Sequence, residues 1–261
     1  MFKDKLSPTL VNLLCVLVIV LSLGGLGSYA LPTIHAARNL DPLKAEKDSQ
    51  AKQELPSDQS DSSTENGTGP LIDFEALKAV NPDTVGWLTI EGTDIDLPVV
   101  QTDNNEKYLS TTFEGEVVPL WGCVFLDCAY DAQRIPKAQN NVLYGHSNIG
   151  RPSLFGTLLQ YKDEDFYREH QSILYSRPGD QGALWQIISV FNAESDQDYR
   201  RPDFYSTTDY LTYFKNIQAL SLYPNDEKIL PNGEMLTLST CDFNVEGFND
   251  PRLVIVAQRV P

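Results

Sequence analysis

Cys241 closes the run Met235-Leu236-Thr237-Leu238-Ser239-Thr240-Cys241, and eleven residues later Arg252 opens a second apolar run, Arg252-Leu253-Val254-Ile255-Val256-Ala257. Far upstream, Tyr144-Gly145-His146 supplies an imidazole. Together they offer a thiol, an imidazole and a guanidinium to one possible site. A thiolate is a nucleophile, an imidazole can move protons, and a guanidinium, which cannot lose its own proton, can hold a developing oxyanion. Strand alternation puts Leu236, Leu238 and Thr240 on one face and Thr237, Ser239 and Cys241 on the other. The thiol therefore lies on the polar face at a strand end, where access and nearby positive charge make a cysteine reactive.

The elements that must carry these groups read as short strands with a few helices between them. Strands are expected at Trp87–Ile90, Ile95–Val100, Cys123–Leu126, Val142–His146, Ile173–Tyr175, Leu184–Asn192, Met235–Thr240 and Leu253–Val260, separated by Gly, Pro and Asn. Eight such strands predict a closed barrel in a mainly β, α+β domain. Phe74, Leu77 and Val80 have helical spacing behind Asp73. Further helices are expected at Ser153–Gln160, Asp163–His170 and Thr208–Leu220, the last with Tyr210, Phe214 and Ile217 as a stripe that packs on the barrel. No internal repeat is evident.

Each reactive residue has a plainer reading. A free cysteine is most often a small buried hydrophobe, which suits Cys15. Cys123 and Cys128 would form a disulfide only through a turn at Asp127, because an extended five-residue span covers about 16 Å and a bridge needs Cα atoms within about 7 Å. On the residues alone, a structural or capping role for His146 stands slightly ahead of catalysis. His35 and His170 read as solvated bystanders. Arg252 has the plain reading of a charge guarding a strand end, although Val254 and Val256 on its own face argue against full solvation. Asp242 and Asn244, just after the cysteine, are candidates for orienting a partner or touching substrate, as are Ser239 and Thr240 before it. No His/Cys cluster has zinc spacing, so neither a metal nor another cofactor is expected.

Leu238-Ser239-Thr240-Cys241 followed by an arginine that leads a Val/Ile strand, with Tyr144-Gly145-His146 upstream, resembles the sortases. These are membrane-anchored cysteine transpeptidases of Gram-positive bacteria. Asn81 to Ile90 (NPDTVGWLTI), Ile95 to Gln101 (IDLPVVQ) and Lys107-Tyr108-Leu109 resemble the opening of class B members, as do the 95 positions between His146 and Cys241. The match runs from about residue 71 to 261. The resemblance implies a sortase-type closed eight-stranded β-barrel. It also implies Cys241 as nucleophile, His146 as acid and base, and Arg252 at the oxyanion. The implied substrates are surface proteins with a sorting motif of the Asn-Pro-x-Thr or Ser/Asn-Pro-x-Thr-Gly type, cleaved after Thr and passed to a cell-wall peptide amine. Within the family the alternative is a pilin-polymerising enzyme. Outside it, the alternative is a membrane-tethered binding module without chemistry. The Ser-His-Gly-Cys signature of an L,D-transpeptidase is absent.

Composition bounds the same answer. The 261 residues, 41% hydrophobic, hold one sizeable domain plus extras. A net charge of −16 argues against nucleic acid, whose phosphates require a basic face. Residues 6–34 carry no charged side chain, and Leu13 to Leu31 as a helix would be about 28 Å long, enough to span a bilayer. Lys3 and Lys5 precede it and favour a cytoplasmic amino terminus. A single-pass anchor over residues 1–37 is therefore expected, with a cleaved signal peptide as the rival. Residues 38–70, rich in Lys, Glu, Asp, Ser and Gln, read as a polar extracellular linker, and 71–261 as the extracellular catalytic domain.

Overall fold

In the computed structural model, residues 71–130, 139–147, 154–231 and 233–261 are described. The expected membrane anchor (1–37) and linker (38–70) lie outside them. Among the described residues no helix is long and apolar enough to cross a membrane.

Eight strands form the domain: β1 Thr84–Thr89, β2 Asp96–Val100, β3 Val124–Leu126, β4 Asn140–Tyr144, β5 Ser172–Arg177, β6 Asp180–Glu194, β7 Met235–Cys241 and β8 Pro251–Arg259. They close a barrel in the order β1-β2-β3-β4-β7-β8-β6-β5. The β2–β3 and β4–β7 pairs are parallel, and the remaining pairs are antiparallel. All eight expected strands are present. β6 is longer than the apolar run Leu184–Asn192, because it continues back through Gly182 into a tight turn at Gly179 (φ +79°) that joins it to β5. Glycine takes that left-handed conformation without steric cost.

The helices are α1 Phe74–Val80, α2 Glu164–Glu169 and α3 Thr207–Ala219. Asp73 caps α1 by accepting from Glu75 and Ala76 N–H. Asp163 does the same for α2, and Ser206 for α3. The helix expected at Ser153–Gln160 is instead a 3-10 segment, Gly156–Lys162. A second 3-10 turn spans Lys107–Leu109.

α3 buries Tyr210, Tyr213, Phe214 and Ile217, which fall on one face at i, i+3, i+4 and i+7. They pack with Ile188 and Phe191 of β6 and with Val254 and Val256 of β8. Burying side chains of this size contributes about 1.5–3 kcal/mol each. The face of β8 that carries Val254 and Val256 is thus the outside of the barrel, covered by the excursion between β6 and β7. That covering also closes over the polar face expected on β7. Thr237 and Ser239 are buried, because Thr237 donates to Asn140 Oδ1 (2.7 Å) and the Ser239 hydroxyl meets that of Tyr199 (3.0 Å).

Candidate active site

The register of three neighbouring strands assembles the site. Across the antiparallel β7–β8 ladder, Cys241 pairs with Arg252 and Ser239 with Val254. Residues directly opposite in a ladder project to the same face, so the thiol and guanidinium share the outer face with Val254. On the other flank β4 runs parallel to β7 and pairs Tyr144 with Ser239. The chain keeps tracking β7 for three more residues. Gly145 N–H donates to Ser239 O (3.4 Å), the Thr240 hydroxyl to Gly145 O (2.7 Å), and the Ser147 hydroxyl to Cys241 O. His146, two residues beyond Tyr144, is thereby level with Cys241. The order His146, Cys241, Arg252 follows the strand order β4, β7, β8.

His146 is held from several sides. Phe155 N–H donates to its carbonyl (2.8 Å), and the buried Phe155 ring lies so close to Gly145 that a Cβ there would sit 2.8 Å from Cγ. Its Nε2 lies 2.8 Å from Leu109 O. A carbonyl only accepts, so this contact assigns a hydrogen to Nε2 and leaves Nδ1 as the ring nitrogen not engaged by it. Leu109 ends the 3-10 turn, which is itself anchored. Cys123 N–H bonds Tyr108 O (3.0 Å), and the buried Tyr108 hydroxyl bonds Asn81 and Asp83. This turn was visible in the sequence only as a family-like Lys-Tyr-Leu. Its use of a main-chain oxygen carries no residue signature.

The thiol is half-buried, and that burial pushes its pKa up, while the Arg252 charge pulls the other way and Asp250 adds to the rise. The net direction is upward. The Arg252 side chain is 21% exposed and is gripped by Asp250, with Nη1 at 2.6 Å and Nη2 at 3.0 Å from the two carboxylate oxygens. Nothing in the sequence reading had singled out Asp250, although it stands two residues before Arg252.

The other four sequence candidates occupy different settings. The Ser239 and Thr240 hydroxyls are engaged with Tyr199 and Gly145 as described. Asp242 has no exposed side-chain surface; its Oδ2 pairs with Lys162 Nζ (2.7 Å) and its Oδ1 accepts from Asn244 N–H (3.2 Å). Asn244 is exposed. Cys123 and Cys128 flank β3 as free thiols; burial drives the Cys123 pKa strongly upward. Among the described residues no three His, Cys, Asp or Glu side chains are grouped to hold a metal ion.

A family model described as the sortase domain matches residues 88–260. Sortase B of Listeria monocytogenes is 32% identical over 201 residues, covering 77% of this chain and 79% of its own. Among solved structures, sortase B of Bacillus anthracis in complex with AAEK1 superposes with a TM-score of 0.63 at 32% identity, over 72% of this chain and 83% of that one. A substrate complex of Staphylococcus aureus sortase B superposes with a TM-score of 0.64 at 30% identity, over 72% and 84%.

Proposed function

The chain belongs to the sortase family as a class B sortase, a cysteine transpeptidase, and on that premise we propose that Cys241, His146 and Arg252 carry its chemistry. Cys241 sulfur attacks the threonine carbonyl of a sorting motif. The tetrahedral intermediate collapses to a thioester as the peptide bond after Thr breaks, and imidazolium His146 gives its Nδ1 proton to the leaving amine. An incoming amine then loses a proton to the same nitrogen and attacks the thioester, which forms the new amide and releases Cys241. Arg252 stabilises the oxyanion at both tetrahedral stages. The observation that carries this reading is the register that sets Cys241 opposite Arg252, with His146 level on the adjoining strand.

The substrate class follows the Staphylococcus aureus relative, solved with its substrate. For this chain we propose surface proteins with an Asn-Pro-x-Thr or Ser/Asn-Pro-x-Thr-Gly motif, and a cell-wall peptide amine as acceptor. We further propose that residues 1–37 anchor the protein in the membrane and that 38–70 hold the catalytic domain outside the cell. The uncharged run 6–34 behind Lys3 and Lys5 supports this. Ser239, Thr240 and Asp242 line the thiol's strand, their engaged groups favouring a supporting role, whereas exposed Asn244 is free to meet substrate.

Incubating the protein with a panel of sorting-motif peptides and an amine nucleophile tests the reading. One peptide should be cut after Thr and joined to the amine. Cys241→Ala should abolish both steps, and His146→Ala should slow them by about 10²–10⁴-fold, the usual contribution of a positioned acid-base group. Turnover retained by Cys241→Ala would overturn the assignment.

A further inference from the structure

Arg252 has more hydrogen-bond donors than its proposed oxyanion requires, and the structure shows how they are divided. Nη1 is surrounded by acceptors: Asp250 Oδ1 at 2.6 Å, Pro251 O at 3.0 Å and Asp250 O at 3.4 Å. Nη2 gives one hydrogen to Asp250 Oδ2 at 3.0 Å. A carboxylate that grips both Nη atoms uses the two hydrogens that point along the end of the fork. The Nε hydrogen and the second Nη2 hydrogen form the remaining parallel pair. Among the described residues neither has a partner.

Asp250 is itself immobilised, although its side chain is 54% exposed. Glu194, the last residue of β6, accepts from Asp250 N–H at 3.0 Å and from Asn249 N–H at 2.9 Å through its two carboxylate oxygens. Ser195 N–H donates to Asp250 O at 3.0 Å. The Asp250 backbone is therefore tied to the end of β6, which pairs with β8 alongside Arg252 through Ala193.

We propose that Asp250 is a positioning residue for acyl transfer: by occupying the Nη1–Nη2 end of the Arg252 fork, it presents the Nε–Nη2 edge as the two-donor cradle for the oxyanion. This rests on the reading of Arg252 given above. Among the described residues, Asp250, Cys241 and Tyr199 are the titratable groups that act most strongly on the Arg252 charge. Deleting Asp250 thus has two consequences of opposite sign. The guanidinium loses its orientation, which slows the chemical step. Its charge is no longer offset, which makes the thiolate easier to form.

The test compares Asp250→Ala, Asp250→Asn, Arg252→Lys and the double variant Asp250→Ala/Arg252→Lys, with kcat, KM and the pH midpoint of Cys241 alkylation measured for each. Asp250→Ala should lower kcat by about 10- to 100-fold, the scale of a catalytic group misplaced by about 1 Å. KM should change little, because the oxyanion exists only at the transition state and intermediate. The alkylation midpoint should fall at the same time while buried Cys123 stays unlabelled; a loss of fold would also lower the midpoint, but it would expose Cys123 to the reagent. Asp250→Asn, which offers one acceptor oxygen instead of two, should lie between wild type and alanine and guards against misfolding of the alanine variant. In the Arg252→Lys background the Asp250 effect should disappear, since no fork is left to orient. A kcat for Asp250→Ala at or above wild type would mean that the carboxylate sequesters Arg252, and would overturn the proposal. So would a lowered kcat with an unmoved midpoint. If Arg252→Lys itself keeps full activity, the reading of Arg252 fails instead, and the two failures are told apart by that single variant.

Discussion

Replacing Lys162 with methionine removes the one charged partner that Asp242, the carboxylate next to Cys241, has among the described residues. Asp242 has 0% side-chain exposure, and its Oδ2 meets Lys162 Nζ at 2.7 Å. Methionine fills similar space without the charge. The remaining contact of the carboxylate is the Asn244 N–H on Oδ1 at 3.2 Å. Breaking a buried pair by removing one partner costs about 3–5 kcal/mol. The Lys162 side chain is 30% exposed, so water reaches the gap and the lower end, about 3 kcal/mol, is expected. In a domain of this size about 3 kcal/mol corresponds to a fall in Tm of about 6–12 °C.

Urea unfolding of variant and wild type measures the deficit, and thermal unfolding measures the fall in Tm. A deficit under about 1 kcal/mol would refute the idea that Lys162 neutralises a buried charge.

Two further outcomes are expected. Alkylation of Cys241 should rise with pH through a midpoint above that of a free cysteine measured alongside, because burial of the thiol outweighs the pull of Arg252, and buried Cys123 should stay unlabelled until the protein unfolds; a Cys241 midpoint below the free thiol refutes this balance. Gly145→Ala should lower stability by about 1–3 kcal/mol, the range for overpacking, since the new Cβ would lie 2.8 Å from the fully buried Phe155 ring, and it should also slow turnover by moving His146; a wild-type melting temperature would show that the ring can yield.

The eight strands were legible because alternation and turn residues are local signals, and the apolar stripe of α3 was legible for the same reason. Their partners were not. Nothing in Val142 to His146 or in Met235 to Cys241 states that the two segments lie side by side and parallel, and that pairing is what brings the imidazole level with the thiol. The types and spacing of Cys241 and Arg252 made them candidates, and His146 needed the family resemblance to stand ahead of a structural role, whereas the supports of all three were hidden for separate reasons. Leu109 acts through a main-chain oxygen. Lys162 meets Asp242 only after an 80-residue excursion returns. Thr237 and Ser239 marked a polar strand face, but their hydroxyl partners, Asn140 and Tyr199, belong to distant segments and left no trace nearby. Burial of β7 on both faces is a property of the assembled barrel, and period-two patterning reports one face at a time.

The parallel β4–β7 pair has a consequence for when the chain becomes reactive. Gly145 and Thr240, which bond each other beside the site, stand 95 residues apart, and closing so long a loop is disfavoured until much of the intervening chain is ordered. β8, which supplies the guanidinium, follows β7 in the element order and completes the ladder on the other side. On the assignment proposed above, a partly folded chain holds Cys241 without the strand pairings that set His146 and Arg252 beside it. Acyl transfer would then wait on closure of this long loop, which ties activity to completion of the barrel.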